Sequence, residues 1–137
     1  MKINITRVDN DFHMECRGSS EVKVHIDAAE KIGGHNAGAR PMELILMGLG
    51  SCSAIDLIAI LKKQRQNPDD LSIDLHAKRA ENKIPAVFTD IHITFKLKGR
   101  LDEIKVQRAI ELSVEKYCSV YEMLKDKVNI TYSYSIN

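Results

Sequence analysis

The sequence predicts an α+β fold built mainly from antiparallel sheets. Short stretches of alternating apolar and polar residues occur in groups, and helical stretches separate the groups. The 137 residues, 44% of them hydrophobic, suffice for one core and one domain, 1–137. The expected order is βββ-α-ββ-αα-β.

The first group is a β-meander. Met1 to Val8 alternates through Ile3 and Ile5, and Asn10-Asp11 signals a turn. Phe12 to Arg17 follows, then the turn Gly18-Ser19-Ser20, then Glu21 to Ile26 with Val22, Val24 and Ile26 on one face. Residues 27–40, DAAEKIGGHNAGAR, read as a loop because of their glycines. Pro41 suits a first helical residue. The helix predicted from it runs to about Gln66, where Asn67-Pro68 stops it, and would be about 38 Å long. It is apolar on nearly all sides from Leu44 to Leu61. One small sheet cannot cover such a helix, and a second subunit is the simplest cover.

Leu71 to Glu81 and Val87 to Leu97 read as a hairpin, with Leu71, Ile73, Leu75 and Ala77 on one face of the first strand and Ile91, Ile93, Phe95 and Leu97 on one face of the second. A second helix runs from about Asp102 to Tyr117, with a stripe of Val106, Ile110, Val114 and Tyr117. Ser119 with Glu122 reads as a capping box opening a short third helix. Val128 to Ile136 alternates as a final strand.

The 20 basic and 19 acidic residues leave a net charge of +1, which argues against a nucleic acid or membrane surface held by charge. Residues 42–61 are apolar enough for a membrane check, but Glu43 and Asp56 lie inside them and favour a helix buried in protein. The N-terminus MKINITRV lacks the apolar run of a secretory signal. The three cysteines show no CxxC and no dense spacing, so the expected compartment is the cytosol with thiols reduced. No cofactor motif and no metal-ligand spacing stands out among the five histidines, and neither a cofactor nor a metal is expected.

Three cysteines remain to be placed. Cys52 lies within the apolar helix in GLGSCSAID, where Gly48, Gly50 and Ser51 leave space; such small residues serve either a thiol pocket or close helix packing. Cys118 ends the second helix and reads as a resolving thiol or as a core residue. Cys16 reads as structural. Asp56, one turn after Cys52, would oppose thiolate formation unless paired or turned away. Arg40 opens the long helix, and an arginine near Cys52 would favour thiolate. Glu43 lies nine residues before Cys52, about 180° away around the helix; it serves either the site or the helix start.

The stretch ARPMELILMGLGSCSAIDLIAIL resembles the central helix of OsmC/Ohr proteins, through Pro41, Gly48 and Cys52. EKYCSVYEML resembles the family's second cysteine region, through Cys118. The resemblance implies an OsmC-like fold, an intertwined homodimer with antiparallel sheets around a long central helix, and reduction of organic hydroperoxides. It makes Cys52 the peroxidatic thiol and Cys118 the resolving one, with a dithiol reductant restoring both. It makes Arg40, ahead of Arg17, the candidate activating arginine, and Glu43 the candidate acidic partner. Three departures are visible. Met42 stands where peroxidatic members carry glutamate, Glu43 comes one position later, and Ser119 replaces a frequent proline. They place the chain in the less characterised branch of the family. Two competing readings are a non-enzymatic protein binding an apolar ligand at the dimer interface, and a redox sensor using the same disulfide without turnover.

Overall fold

The computed structural model describes all residues from Met1 to Asn137. Strands β1 (Asn4–Arg7), β2 (Met14–Arg17) and β3 (Lys23–Ile26) precede helix α1 (Pro41–Lys63). The hairpin β4 (Asp70–Arg79) and β5 (Phe88–Lys98) follows, then α2 (Glu103–Glu111), a π-helical turn Leu112–Tyr117, α3 (Ser119–Leu124) and β6 (Asn129–Ile136). The chain falls into two compact units, Met1–Met47 and Gly48–Asn137, with the boundary inside α1.

The first unit holds the antiparallel sheet β1-β2-β3, in which Ile5, Cys16 and Val24 sit opposite one another. The loop after it is organised by one buried carboxylate. Asp27 is 1% exposed and accepts hydrogen bonds from the backbone N–H groups of Ala28 (2.7 Å), His35 (2.8 Å) and Ala37 (3.1 Å). Such donors satisfy a buried charge that would otherwise be costly. The Ala37 N–H, with those of His35 and Ala28, holds the Asp27 carboxyl below its usual value against the opposing effect of burial. A depressed carboxyl stabilises the fold above the unfolded value of about 3.9 and loses that contribution as pH falls through the folded value. Asp27→Asn is therefore expected to lower the melting temperature at pH 7. The difference from wild type should shrink below about pH 4, since asparagine has no charge to lose. Thermal denaturation at both pH values checks this.

The second unit is built on the sheet β4-β5-β6. Leu71, Ile73, Leu75 and Ala77 of β4 pair with Leu97, Phe95, Ile93 and Ile91 of β5, as the alternation predicts. Ile91, Ile93, Phe95 and Leu97 are buried, together with Val106, Ala109, Ile110 and Val114 and with Leu49, Leu57 and Leu61 of α1. At Gly50 of α1 a Cβ would come within 2.7 Å of Leu75 Cδ1, so this glycine allows the close approach of helix and strand.

The sheets are mainly antiparallel, as expected; β6 alone runs parallel, beside β5. The crossover through α2, the π turn and α3 is long enough to bring the chain back in the same direction. Helix α1 ends at Lys63 rather than Gln66. Arg65 takes a left-handed conformation (φ 57°), its N–H bonds the Lys62 carbonyl and the Gln66 N–H bonds that of Leu61, so a Schellman closure ends the helix before Asn67-Pro68 does. Tyr117 leaves the apolar stripe of α2 and is 50% exposed, because the π turn inserts an extra residue after Glu111. Ser119 and Glu122 form no capping box: Ser119 is already helical, and the Cys118 sulfur caps α3 by accepting the Tyr121 N–H at 3.3 Å.

Candidate thiol site

Cys52 sits in α1, on the border between its buried face (Leu49, Ser53, Leu57) and its exposed one. It is partly accessible. Cys118 is 2% exposed. The π turn brings Cys118 inward, its N–H bonding the Ser113 carbonyl five residues back at 3.0 Å. The Cys52 thiol is one of the groups that act on Cys118. Cys118 is a hydrogen-bond neighbour of both the Cys52 thiol and the Ser53 hydroxyl, and its Sγ lies 3.9 Å from the Leu49 carbonyl. Both cysteines are free thiols. Burial pushes the Cys118 thiol up, and its hydrogen bond with Cys52 acts in the same direction; the Ser53 hydroxyl and the Tyr121 N–H oppose. Cys118 is thus held as the neutral thiol at neutral pH, beside a more accessible sulfur. Thiol-based two-electron chemistry is what such groups can support.

The pattern that defines OsmC-like proteins matches residues 34–133, a span that includes both cysteines. The chain belongs to the OsmC family. Protein YhfA of Escherichia coli K12 is 48% identical over 97 residues, covering 70% of this chain and 72% of YhfA. The crystal structure of a hypothetical protein from Aquifex aeolicus VF5 shares 31% identity and superposes with a TM-score of 0.81, covering 99% of this chain and 96% of that one. The organic hydroperoxide resistance protein OhrB of Bacillus subtilis shares the fold at 20% identity, with a TM-score of 0.66 over 98% of this chain and 96% of its own.

The other two residues singled out from this OsmC-family sequence, Arg40 and Glu43, lie in the first unit. Arg40 Nη1 donates to the backbone carbonyls of Gly38 (2.9 Å) and Asp27 (3.3 Å), and Nη2 donates to Asn36 Oδ1. This guanidinium fastens the glycine-rich loop. Glu43 Oε2 accepts the Arg40 backbone N–H at 2.9 Å, the reach-back arm of a helix cap. Arg17 is ion-paired to Glu15 at 2.8 Å.

Sequence reasoning passed over two features. Ser53 is fully buried beside Cys118, and its only mark in the sequence is its place after Cys52. Asp9, Asp11 and His35 form a polar cluster, their ligand-type atoms all within 4.8 Å of one another. His35 Nε2 lies 2.7 Å from Asp11 Oδ2, and this bond holds the imidazole above its usual value. Asp9 Oδ1 accepts the N–H groups of Asp11 and His13. The long separation of His35 from the aspartates hides the group from a sequence reading.

A groove of about 340 Å³ opens one turn beyond Cys52, lined by Asp56, Ala59, Ile60, Lys63, Gln64, Leu112 and Tyr117. Its walls are mostly apolar, with charged groups at Asp56 and Lys63.

Proposed function

We propose that this OsmC-family protein reduces organic hydroperoxides through Cys52 and Cys118. The single observation that carries the reading is the pairing of a partly accessible thiol with a buried neutral one. Cys52 as thiolate attacks the outer peroxide oxygen, the O–O bond breaks, an alcohol leaves, and Cys52 becomes a sulfenic acid. Cys118 condenses with it to a disulfide and water. A dithiol returns both sulfurs to thiols. The apolar groove beside α1 suits the alkyl part of such a peroxide. Arg40 and Glu43 hold the glycine-rich loop and the first turn of α1. The fold shared with the organic hydroperoxide resistance protein of Bacillus subtilis supports the chemistry. The thiol cycle suits a cytosolic protein of the oxidative stress response.

The working unit in this proposal is a homodimer. Helix α1 is long and apolar enough to span a membrane. Ile45 (40%), Ile55 (68%) and Ile58 (41%) are exposed on it. A second copy of the helix would cover them.

The test is steady-state consumption of an alkyl hydroperoxide and of hydrogen peroxide by the purified protein with a dithiol reductant. Turnover favouring the organic peroxide is expected. No turnover, with Cys52 and Cys118 still free after exposure, would overturn the proposal. In that event the apolar groove favours the second reading, a binding protein for an apolar ligand.

A further inference from the structure

Ser53 asks for an explanation. It is fully buried in the middle of α1, where an apolar residue would pack without polar cost. Its Oγ donates to the Leu49 carbonyl at 3.0 Å, a bond back to the preceding turn. That bond alone would satisfy the hydroxyl. The Cys118 sulfur is aimed at the same carbonyl, at 3.9 Å, and the Ser53 hydroxyl acts to lower the Cys118 thiol against the effect of its burial. Leu49 O, Ser53 Oγ and Cys118 Sγ thus share one small polar cluster in an apolar surrounding. A hydroxyl proton can rotate at no cost to the backbone. With Cys118 neutral, the proton points at Leu49 O. When Cys118 carries charge, the proton can turn to the sulfur, which the Tyr121 N–H already serves at 3.3 Å.

We propose that Ser53 is a positioning residue for disulfide closure, holding the Cys118 sulfur in place and meeting the charge that develops on it. The inference rests on the peroxidase reading given above. In the step concerned, the Cys118 sulfur attacks the Cys52 sulfur of the sulfenic acid. The S–S bond forms, the S–O bond breaks, and the departing hydroxide leaves as water with the proton that Cys118 gives up. The oxidising equivalents come from the organic hydroperoxide consumed in the preceding step, and no other redox partner enters. Ser53 exchanges no atom; it supplies a hydrogen bond at the moment when burial most disfavours the charged sulfur.

Two measurements test it. In stopped-flow single turnovers with an alkyl hydroperoxide, Ser53→Ala should slow disulfide closure about 10-fold and slow sulfenic acid formation far less. Ser53→Thr, which keeps the hydroxyl, should restore most of the closure rate. Closure at the wild-type rate in Ser53→Ala, or equal slowing of both steps, would overturn the proposal. The second measurement does not depend on peroxide chemistry. In a Cys52→Ser background, titration of Cys118 followed by thiolate absorbance should move to higher pH when Ser53→Ala is added. An unmoved titration would overturn the role of Ser53 even if the protein proves to be a peroxidase. A moved titration in a protein that consumes no peroxide would instead sink the peroxidase reading and keep the Ser53–Cys118 interaction.

Discussion

Cys52→Ser is expected to abolish peroxide turnover, lowering it at least about 100-fold. A serine hydroxyl fits the same space in α1 but is not ionised near neutral pH, and thiolate is the form that attacks a peroxide oxygen. The fold should survive, because Cys52 is only partly buried. Cys118→Ser should behave differently. The first oxidation needs Cys52 alone, so one equivalent of peroxide should still be consumed. The sulfenic acid then has no partner and should persist long enough to be trapped by a dimedone-type reagent. Cycling with a dithiol should fall at least about 10-fold, since the external thiol must now attack a sulfenic acid directly. Mass spectrometry of the two variants after a peroxide pulse separates them. Equal turnover in Cys52→Ser and wild type would sink the mechanism outright. Full turnover in Cys118→Ser would leave Cys52 as the reacting thiol and remove Cys118 from the cycle.

Both cysteines were legible in the sequence because each lies in a local motif. The inward placing of Cys118 was not, because it depends on a feature without a sequence mark. A straight α-helix through Tyr117 would keep that ring on the stripe with Val106, Ile110 and Val114. The π turn at Leu112–Tyr117 displaces the tyrosine and brings Cys118 inward. Nothing in LSVEKY announces that turn. The strands were easier. Ile91, Ile93, Phe95 and Leu97 alternate with polar residues, and burying that face settles which residues pair. The direction of β6 was harder, since alternation is the same in parallel and antiparallel strands. Arg40 shows a different limit. A sequence reading sees a cation at a helix start. The structure shows a guanidinium bonded to the carbonyls of Gly38 and Asp27, the latter thirteen residues away. The capping of α3 by a sulfur was also hidden, because Ser119 next to it is the commoner capping residue.

The second large effect is expected at the exposed side of α1. Ile55→Glu should convert the proposed dimer to monomer at micromolar concentration. Covering one isoleucine contributes about 1.5–3 kcal/mol, and a two-fold interface counts each substitution twice. A glutamate there would also have to be dehydrated as a charge or take up a proton against apolar neighbours. The monomer should remain folded, because Ile55 is 68% exposed and contributes little to the core of its own chain. Gly48→Leu gives an independent check. A Cβ at Gly48 meets nothing within 4 Å, so a single chain has room for the larger side chain, and the helix gains from losing a glycine. In a dimer packed along this helix the new side chain would meet the partner and weaken association. Sedimentation velocity on wild type and both variants decides the matter. A dimeric wild type with both variants shifted toward monomer is the expected result. A monomeric wild type would refute the dimer, and the apolar stripe of Ile45, Ile55 and Ile58 would then need another cover.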